Sequence, residues 1–452
     1  MATPRTSDAL KEEGHTAYVP DSYRRYALTL LMIIFAINFV DRQIINILAE
    51  DIKKDLHLAD WQIGMMTGFA FALFYSTFGI PIARLAERRN RPYIIATAIT
   101  TWSAFTALCG IAQNYLQLLL FRIGVGVGEA GCTPPAHSLI TEYTPREKRA
   151  SAMAFYHMGP PLGLLIGLGM GGIVADQFGW RAAFFFAGAP GILVALLAAM
   201  TLREPRRQTV RQALVASPQT STLRETFAFL LTKRSFWLIS LGAGTKAFVA
   251  YGHAAFTASF FFRAHSAELA SIAAQFGLKS AGFLGLALGL IGGVTGMFGT
   301  WLGGYISDRA ARHDVRAYGS IPAVASVVGI PLTIAALLAP DIWTAMACLF
   351  VGGVAGSIWS GPVHAAVLST PPSHMRATTS SLLLFVLNGI GLGLGPLGVG
   401  LLSDFLAGPG GLGAAEGVRW ALILSSTLGL LTAGLFWAAR KPLVDDIRED
   451  AG

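Results

Sequence analysis

Apolar stretches of 20 or more residues recur along the whole chain, separated by short polar segments rich in arginine. Such a stretch matches the roughly 30 Å hydrocarbon core of a bilayer, which about 20 helical residues cross. The pattern predicts twelve membrane-spanning helices, near 25–49, 61–85, 92–112, 115–140, 149–175, 180–202, 235–262, 279–306, 317–339, 342–367, 377–403 and 418–439. The seventh and eighth are the least sharply bounded, because residues 263–279 between them are only weakly polar.

The polar breaks carry an orientation. With those spans, 25 Lys and Arg residues fall on one face and 6 on the other. The positive-inside rule then places both termini in the cytoplasm. The remaining three, Arg42, Arg122 and Lys246, lie inside spans. The organisation that follows is a cytoplasmic tail over 1–24, a six-helix bundle over 25–202, a linker over 203–234, a second bundle over 235–440 and a tail over 441–452. The first tail is expected to hold a short amphipathic helix. The linker, with seven basic residues, suits a helix lying on the membrane surface.

The two bundles are related. Residues 126–150 recur as 353–377 at one offset of 227, matching Gly126 to Gly353, Pro135 to Pro362 and Arg149 to Arg376. A second duplication sits after spans 2 and 8. Glu87, Arg88 and Arg91 repeat as Asp308, Arg309 and Arg312, 221 residues on. Six spans per half keep the same orientation, so these are parallel repeats. The two acid-Arg-x-x-Arg turns, with Arg149 and Arg376, are expected to form a cytoplasmic gate that holds one conformation closed inside.

Composition agrees and removes other classes. Only 13% of residues are charged, 53% are hydrophobic, and there are 51 glycines. A soluble domain carries about 25% charged residues. The net charge of +8 is spread over loops as topology requires, so it does not point to nucleic acid. The first 24 residues lack the apolar core of a signal peptide. Cys109, Cys132 and Cys348 stand in separate apolar runs, which argues against a disulfide framework or a metal site. No cofactor is expected, and a proton gradient is the expected energy source. No nucleophile elbow, metal-binding helix pair or phosphate-cradling loop marks an enzyme.

Charges inside spans cost about 2.5–3.5 kcal/mol each on insertion scales, so those present need a reason. Asp41 lies about nine residues below the outer end of span 1, and Arg122 about seven below that of span 4. At 1.5 Å per residue the depths agree within about 3 Å, so the two can pair. Glu129 follows Arg122 by two helical turns and shares its face, without an obvious partner. Glu129 or Asp41 is therefore the expected proton-coupling carboxylate, with a fixed ion-pair clamp as the alternative. Arg122 suits a phosphate or carboxylate, or serves as a structural partner for the acids. Arg42 points about 100° away from Asp41, towards a neighbouring helix or the outer gate rather than the centre. Lys246 and His253 share a face of span 7, either lining the cavity or contacting another helix.

The second copy lost these charges: Leu349 stands opposite Arg122 and Gly356 opposite Glu129. Trp359, Phe385 and Asn388 would instead form an apolar, aromatic wall. A polar wall facing an apolar one suits an amphipathic substrate. A channel would place equivalent polar rings in both repeats.

At these motifs the chain resembles the major facilitator superfamily. The two loop turns, Arg122-x-x-x-Gly126-x-Gly128, and Gly159-Pro160-Pro161-x-Gly163 carry the resemblance. Ala83 and Glu87 replace the usual Gly and Asp of the loop signature. A narrower likeness is to the Spinster lipid transporters, through Asn38-Phe39-Val40-Asp41-Arg42, Asp51-Ile52-Lys53-Lys54-Asp55-Leu56, Glu87-Arg88-Arg89-Asn90-Arg91 and Gly126-Val127-Gly128-Glu129-Ala130. The resemblance implies a monomeric secondary transporter in a bacterial inner membrane, with the bilayer and a small amphipathic substrate as its partners. It further implies a lysophospholipid or sphingoid-phosphate substrate. Sugars, drugs, organic acids and uncoupled facilitation remain open within the superfamily.

Overall fold

In lipid a helix satisfies its own backbone polar groups, and helices then associate through close packing and interhelical hydrogen bonds rather than a hydrophobic drive. The computed structural model describes residues 19–145, 148–205, 223–372 and 375–449, and among them every regular element is helical. Among the described residues nine helices are long and apolar enough to cross a membrane. The expected tail helix and most of the linker lie outside the described residues. Within the linker, Leu223–Thr232 is helical.

The first helix, α1, runs from Asp21 to Leu56. It ends at His57, whose left-handed φ of 53° turns the chain back. Span 2 begins with α2 (Asp60–Gly64), passes through a π-helical turn at Met65–Phe69, and continues as α3 (Ala70–Arg88). Helix α4 (Arg91–Cys109) starts where Asn90 accepts a hydrogen bond from the Tyr93 N–H and Pro92 occupies the first turn.

The expected fourth span is two helices, α5 (Tyr115–Glu129) and α6 (Thr133–Tyr143), broken just before Pro134 and Pro135. A proline cannot donate to the previous turn, so the helix restarts there. The tenth span repeats this break at the matching place, between α14 (Ile342–Ser357) and α15 (Ser360–Ser369).

Spans 5 and 6 break where expected. They follow α7 (Arg149–Tyr156) as two helical stretches within α8 (Gly159–Thr201), separated at the non-helical Gly179. Its φ of 82° is open to glycine and strained for other residues, so one residue replaces a loop. Helix α9 (Leu223–Thr232) precedes α10 (Arg234–Ala264), which holds Lys246. The weakly polar segment after it contains α11 (Ser266–Gln275), leading to α12 (Ser280–Ala311) and α13 (Ala317–Leu338). The eleventh span is α16 (Arg376–Val386), a π-helical turn at Leu387–Leu394, and α17 (Gly395–Ala407). Helix α18 (Gly413–Glu449) closes the chain.

Two faces follow from the contacts. On one, Tyr23 at the start of α1 donates to the Thr201 carbonyl (3.0 Å), and Asp446 near the end of α18 accepts from the Ser235 N–H (3.0 Å). This face carries both chain ends. On the other, Arg263 at the end of α10 meets Glu50 near the end of α1. The halves touch mainly towards this second face, through α8 against α12, α2 against α17, and α1 against α10.

Candidate functional site

Four charged groups converge where α1 and α5 cross, all of them buried or nearly so. Arg42 Nε donates to Glu129 Oε2 at 2.5 Å, and the Glu129 side chain is 0% exposed. Around the Arg42 guanidinium stand the rings of Phe39, Phe71 and Tyr75, with centroids 5.4, 4.9 and 4.8 Å away. Their faces are electron-rich and favour the cation in a dry site. Arg122 Nη1 donates to the backbone carbonyl of Asp41 at 3.1 Å. The Asp41 carboxylate is fully buried, and neither oxygen has a partner in hydrogen-bonding geometry. Thr106 and Trp102 lie beside it, each with an equally unpartnered side-chain donor.

Asp41, Arg122 and Glu129 were expected on one face, whereas Arg42 was expected to point towards a neighbouring helix or the outer gate and instead joins them. Depth along the helices suggested Asp41 with Arg122 and left Glu129 alone. The structure pairs Glu129 with Arg42, while Asp41 lies beside Thr106 and Trp102 rather than in an ion pair among the described residues. The long guanidinium arm of Arg42 bends back over the aromatic rings, which the 100° helical projection does not capture.

A small closed cavity of about 40 Å³ adjoins this cluster. Arg42, Arg122, Gln43 and Asn46 line it from the first half, and Tyr251 and Pro396 from the second. It has room for about one water molecule. Sequence reading missed Asn38, Gln43, Asn46, Tyr75 and Tyr251. Asn38 and Asn46 were detectable, because with Asp41 and Arg42 they recur at helical spacing on an apolar span.

The second half supplies fewer polar groups. His253 Nε2 donates to the Leu422 carbonyl at 3.1 Å and lies 3.2 Å from Ser425 Oγ, which places it in a helix–helix contact. Lys246 is half-buried on the same helix, and Trp359 is half-buried at the break between α14 and α15. Asn388 is half-buried in the π-helical turn, while Phe385 is 61% exposed. The charges and these residues do not form one contact set among the described interactions.

The expected gate residues stay within their own halves. Arg91 is fully buried and binds Glu142 (2.5 and 2.8 Å), Glu204 and Ser138 (2.7 Å). Arg149 Nε reaches the Thr144 carbonyl at 3.2 Å, and Arg376 Nε reaches that of Pro371 at 3.5 Å, equivalent contacts in the two repeats. Asp308 accepts from Tyr318 at 3.1 Å, while Arg88, Arg309 and Arg312 are exposed. The Glu87 side chain lies outside the described residues. Among the described residues no bridge joins the halves on this face.

The opposite face is clasped. Arg263 Nη1 and Nη2 each donate to Asp60 at 2.8 Å, and Arg263 Nε donates to Glu50 at 2.9 Å. Lys53 Nζ (2.5 Å) and Ser403 Oγ (2.7 Å) complete the set around Asp60. From the sequence Arg263 counts only as a loop charge, and Asp60, Glu50 and Ser403 are not singled out.

Comparisons with known proteins agree with the fold. The Major Facilitator Superfamily model matches residues 31–396. An MFS-type efflux pump of Mycolicibacterium smegmatis is 31% identical over 94% of this chain and 94% of its own. Protein spinster homolog 1 of Xenopus tropicalis is 27% identical over 95% of this chain and 83% of its own. The crystal structure of a bacterial homolog to the human lysosomal transporter Spinster, in an inward-facing and unoccupied conformation, superposes with a TM-score of 0.83. It shares 32% identity and covers 95% of this chain and 99% of its own. The chain thus belongs to the Major Facilitator Superfamily of membrane transporters and within it resembles the Spinster proteins.

Proposed function

We propose that this protein is a proton-coupled secondary transporter that moves an amphipathic, anionic, lipid-like molecule by alternating access. The observation that carries the reading is the one-sided burial of charge. Arg42, Arg122, Asp41 and Glu129 lie in one half, next to a cavity that the other half closes with Tyr251 and Pro396. Buried Arg122 keeps its Nε without a partner, so a donor is free for a phosphate or carboxylate. Asp41 and Glu129 differ in their partners, which suits one carboxylate to exchange a proton as the helices move. The likeness to Spinster proteins supports the lipid class.

Twelve spans, cytoplasmic termini, a monomeric state and the bacterial inner membrane belong to the same reading. So does the assignment of this conformation as open to the cytoplasm, since among the described residues no bridge joins the halves on the basic face and the opposite face is clasped. The efflux-pump relative supports a second reading, export of apolar drugs.

In liposomes, a lysophospholipid should drive saturable, substrate-dependent proton flux. Lysophospholipid should also raise the melting temperature of the purified protein, and Arg122→Ala should abolish that rise. Proton flux driven only by cationic or neutral drugs would replace the lipid reading with the efflux one.

A further inference from the structure

The contact between the halves is built twice. Asp176, near the bend in α8, reaches into the second half, where its carboxylate accepts from the backbone N–H groups of Ala281 (3.3 Å) and Gly282 (2.6 Å). Asp404, in α17, reaches into the first half and accepts from the N–H groups of Asp60 (3.0 Å) and Trp61 (2.8 Å). The two acceptors are 228 residues apart, and the two donor pairs are 221 apart. Those are the offsets of the repeat itself, so the caps occupy equivalent positions.

The packing beneath them is duplicated in the same register. A Cβ on Gly172 would lie 2.1 Å from the Ala281 carbonyl oxygen, and one on Gly400 would lie 2.5 Å from that of Asp60. One turn deeper, a Cβ on Gly285 would meet the Leu168 carbonyl oxygen at 2.1 Å, and one on Gly64 that of Pro396 at 2.2 Å. Only glycine lets the backbones come this close. On each side of the molecule the first turn of one helix is therefore pressed against its neighbour and closed by that neighbour's carboxylate.

We propose that Asp176 and Asp404 are a duplicated latch that holds the halves together on the clasped face and opens on both sides at once. A helix begins with backbone N–H groups that have no partner inside the helix, and they carry the positive end of its dipole. An aspartate satisfies two of them. Here it comes from the other half, so the cap exists only while the halves are closed on this face. Rocking about a repeat axis moves equivalent positions together and breaks both caps in one motion. Arg263, Glu50 and Lys53 strengthen one side only, because Ala281 stands where Asp60 would be.

This inference rests on the alternating-access reading but not on the substrate or on proton coupling. The experiment is a distance measurement by electron spin resonance, without substrate. Labels go on Gln113 and Leu412, exposed residues of the two halves on the clasped face, in a Cys109→Ala, Cys132→Ala, Cys348→Ala background. Asp176→Ala and Asp404→Ala should each raise the open-to-closed ratio on that face by about tenfold, as loss of a charged cap implies. The double variant should multiply the two effects. Asp176→Asn and Asp404→Asn keep one acceptor and should give smaller shifts in the same direction, and they serve if the alanine variants do not fold.

A merely structural role would lower the melting temperature and leave the ratio alone. An unchanged distance distribution in the folded double variant would overturn the latch. A shift in only one single variant would overturn its duplication.

Discussion

Arg42 and Arg122 are both buried guanidiniums, yet they are held by different chemistry. Arg42 has a carboxylate and three ring faces, whereas Arg122 has a backbone carbonyl and a neighbouring ring. The first is a compensated charge and the second keeps donor capacity in reserve. Arg42→Gln should leave Glu129 buried and unpaired, lowering stability by about 3–5 kcal/mol in denaturant titrations. Arg42→Gln with Glu129→Gln should recover most of that loss, because the stranded charge is gone. A double variant as unstable as the single one would place the cost in packing instead. Glu129→Gln alone should retain lipid binding and lose proton-driven accumulation by at least about tenfold, read as pH-gradient-driven uptake. The set of charges was legible in the sequence, since each stands out in an apolar span. Their pairing was not, because Arg side chains span 6–7 Å beyond the backbone and choose partners by local ring and carbonyl placement.

At the level of elements, turn chemistry explains what the hydrophobic pattern could and could not reveal. Apolar length located the long helices α1, α4, α12, α13 and α18 well. Pattern placed the break between spans 5 and 6 beside Gly179, but could not show that this one residue makes the turn. Nor could it mark the π-helical turns at Met65–Phe69 and Leu387–Leu394, which alter hydrogen bonding without altering hydropathy. Close helix approach is a further element-level feature. A Cβ on Gly128 would lie 2.6 Å from the Trp102 backbone nitrogen, so Gly128→Val should force α4 and α5 apart and cost about 1–3 kcal/mol. Arg91 tests a different bond between elements. It was read as a gate residue, but its partners Glu142 and Glu204 tie the start of α4 to the ends of α6 and α8. Arg91→Ala should therefore lower the melting temperature without substrate, whichever way the transporter faces. A variant with unchanged stability and altered conformation would return Arg91 to the gate.

For the whole molecule, the balance between two conformations is set by contacts that only one of them makes. The face around Asp60 and Arg263 is joined, and among the described residues no bridge joins the face around Asp308 and Arg309. If the repeated turns are a gate, they act in the opposite conformation, and their loss must shift the ratio in the opposite sense to loss of the clasp. Asp308→Asn with Arg309→Gln should then raise the population closed on the clasped face. Arg263→Gln should lower it, since two carboxylates would lose their shared partner. Each change alters the ratio by a factor, so the combined variant should lie near the original balance. The measurement is the same inter-half distance on the clasped face, taken for the Asp308–Arg309 variant, the Arg263 variant and their combination. No shift from the Asp308–Arg309 variant would mean that the turns serve topology alone. Opposite shifts that cancel would make the duplicated turns the inner counterpart of the outer clasp, and would explain why both halves keep an acid and two arginines where only one half keeps charge at its centre.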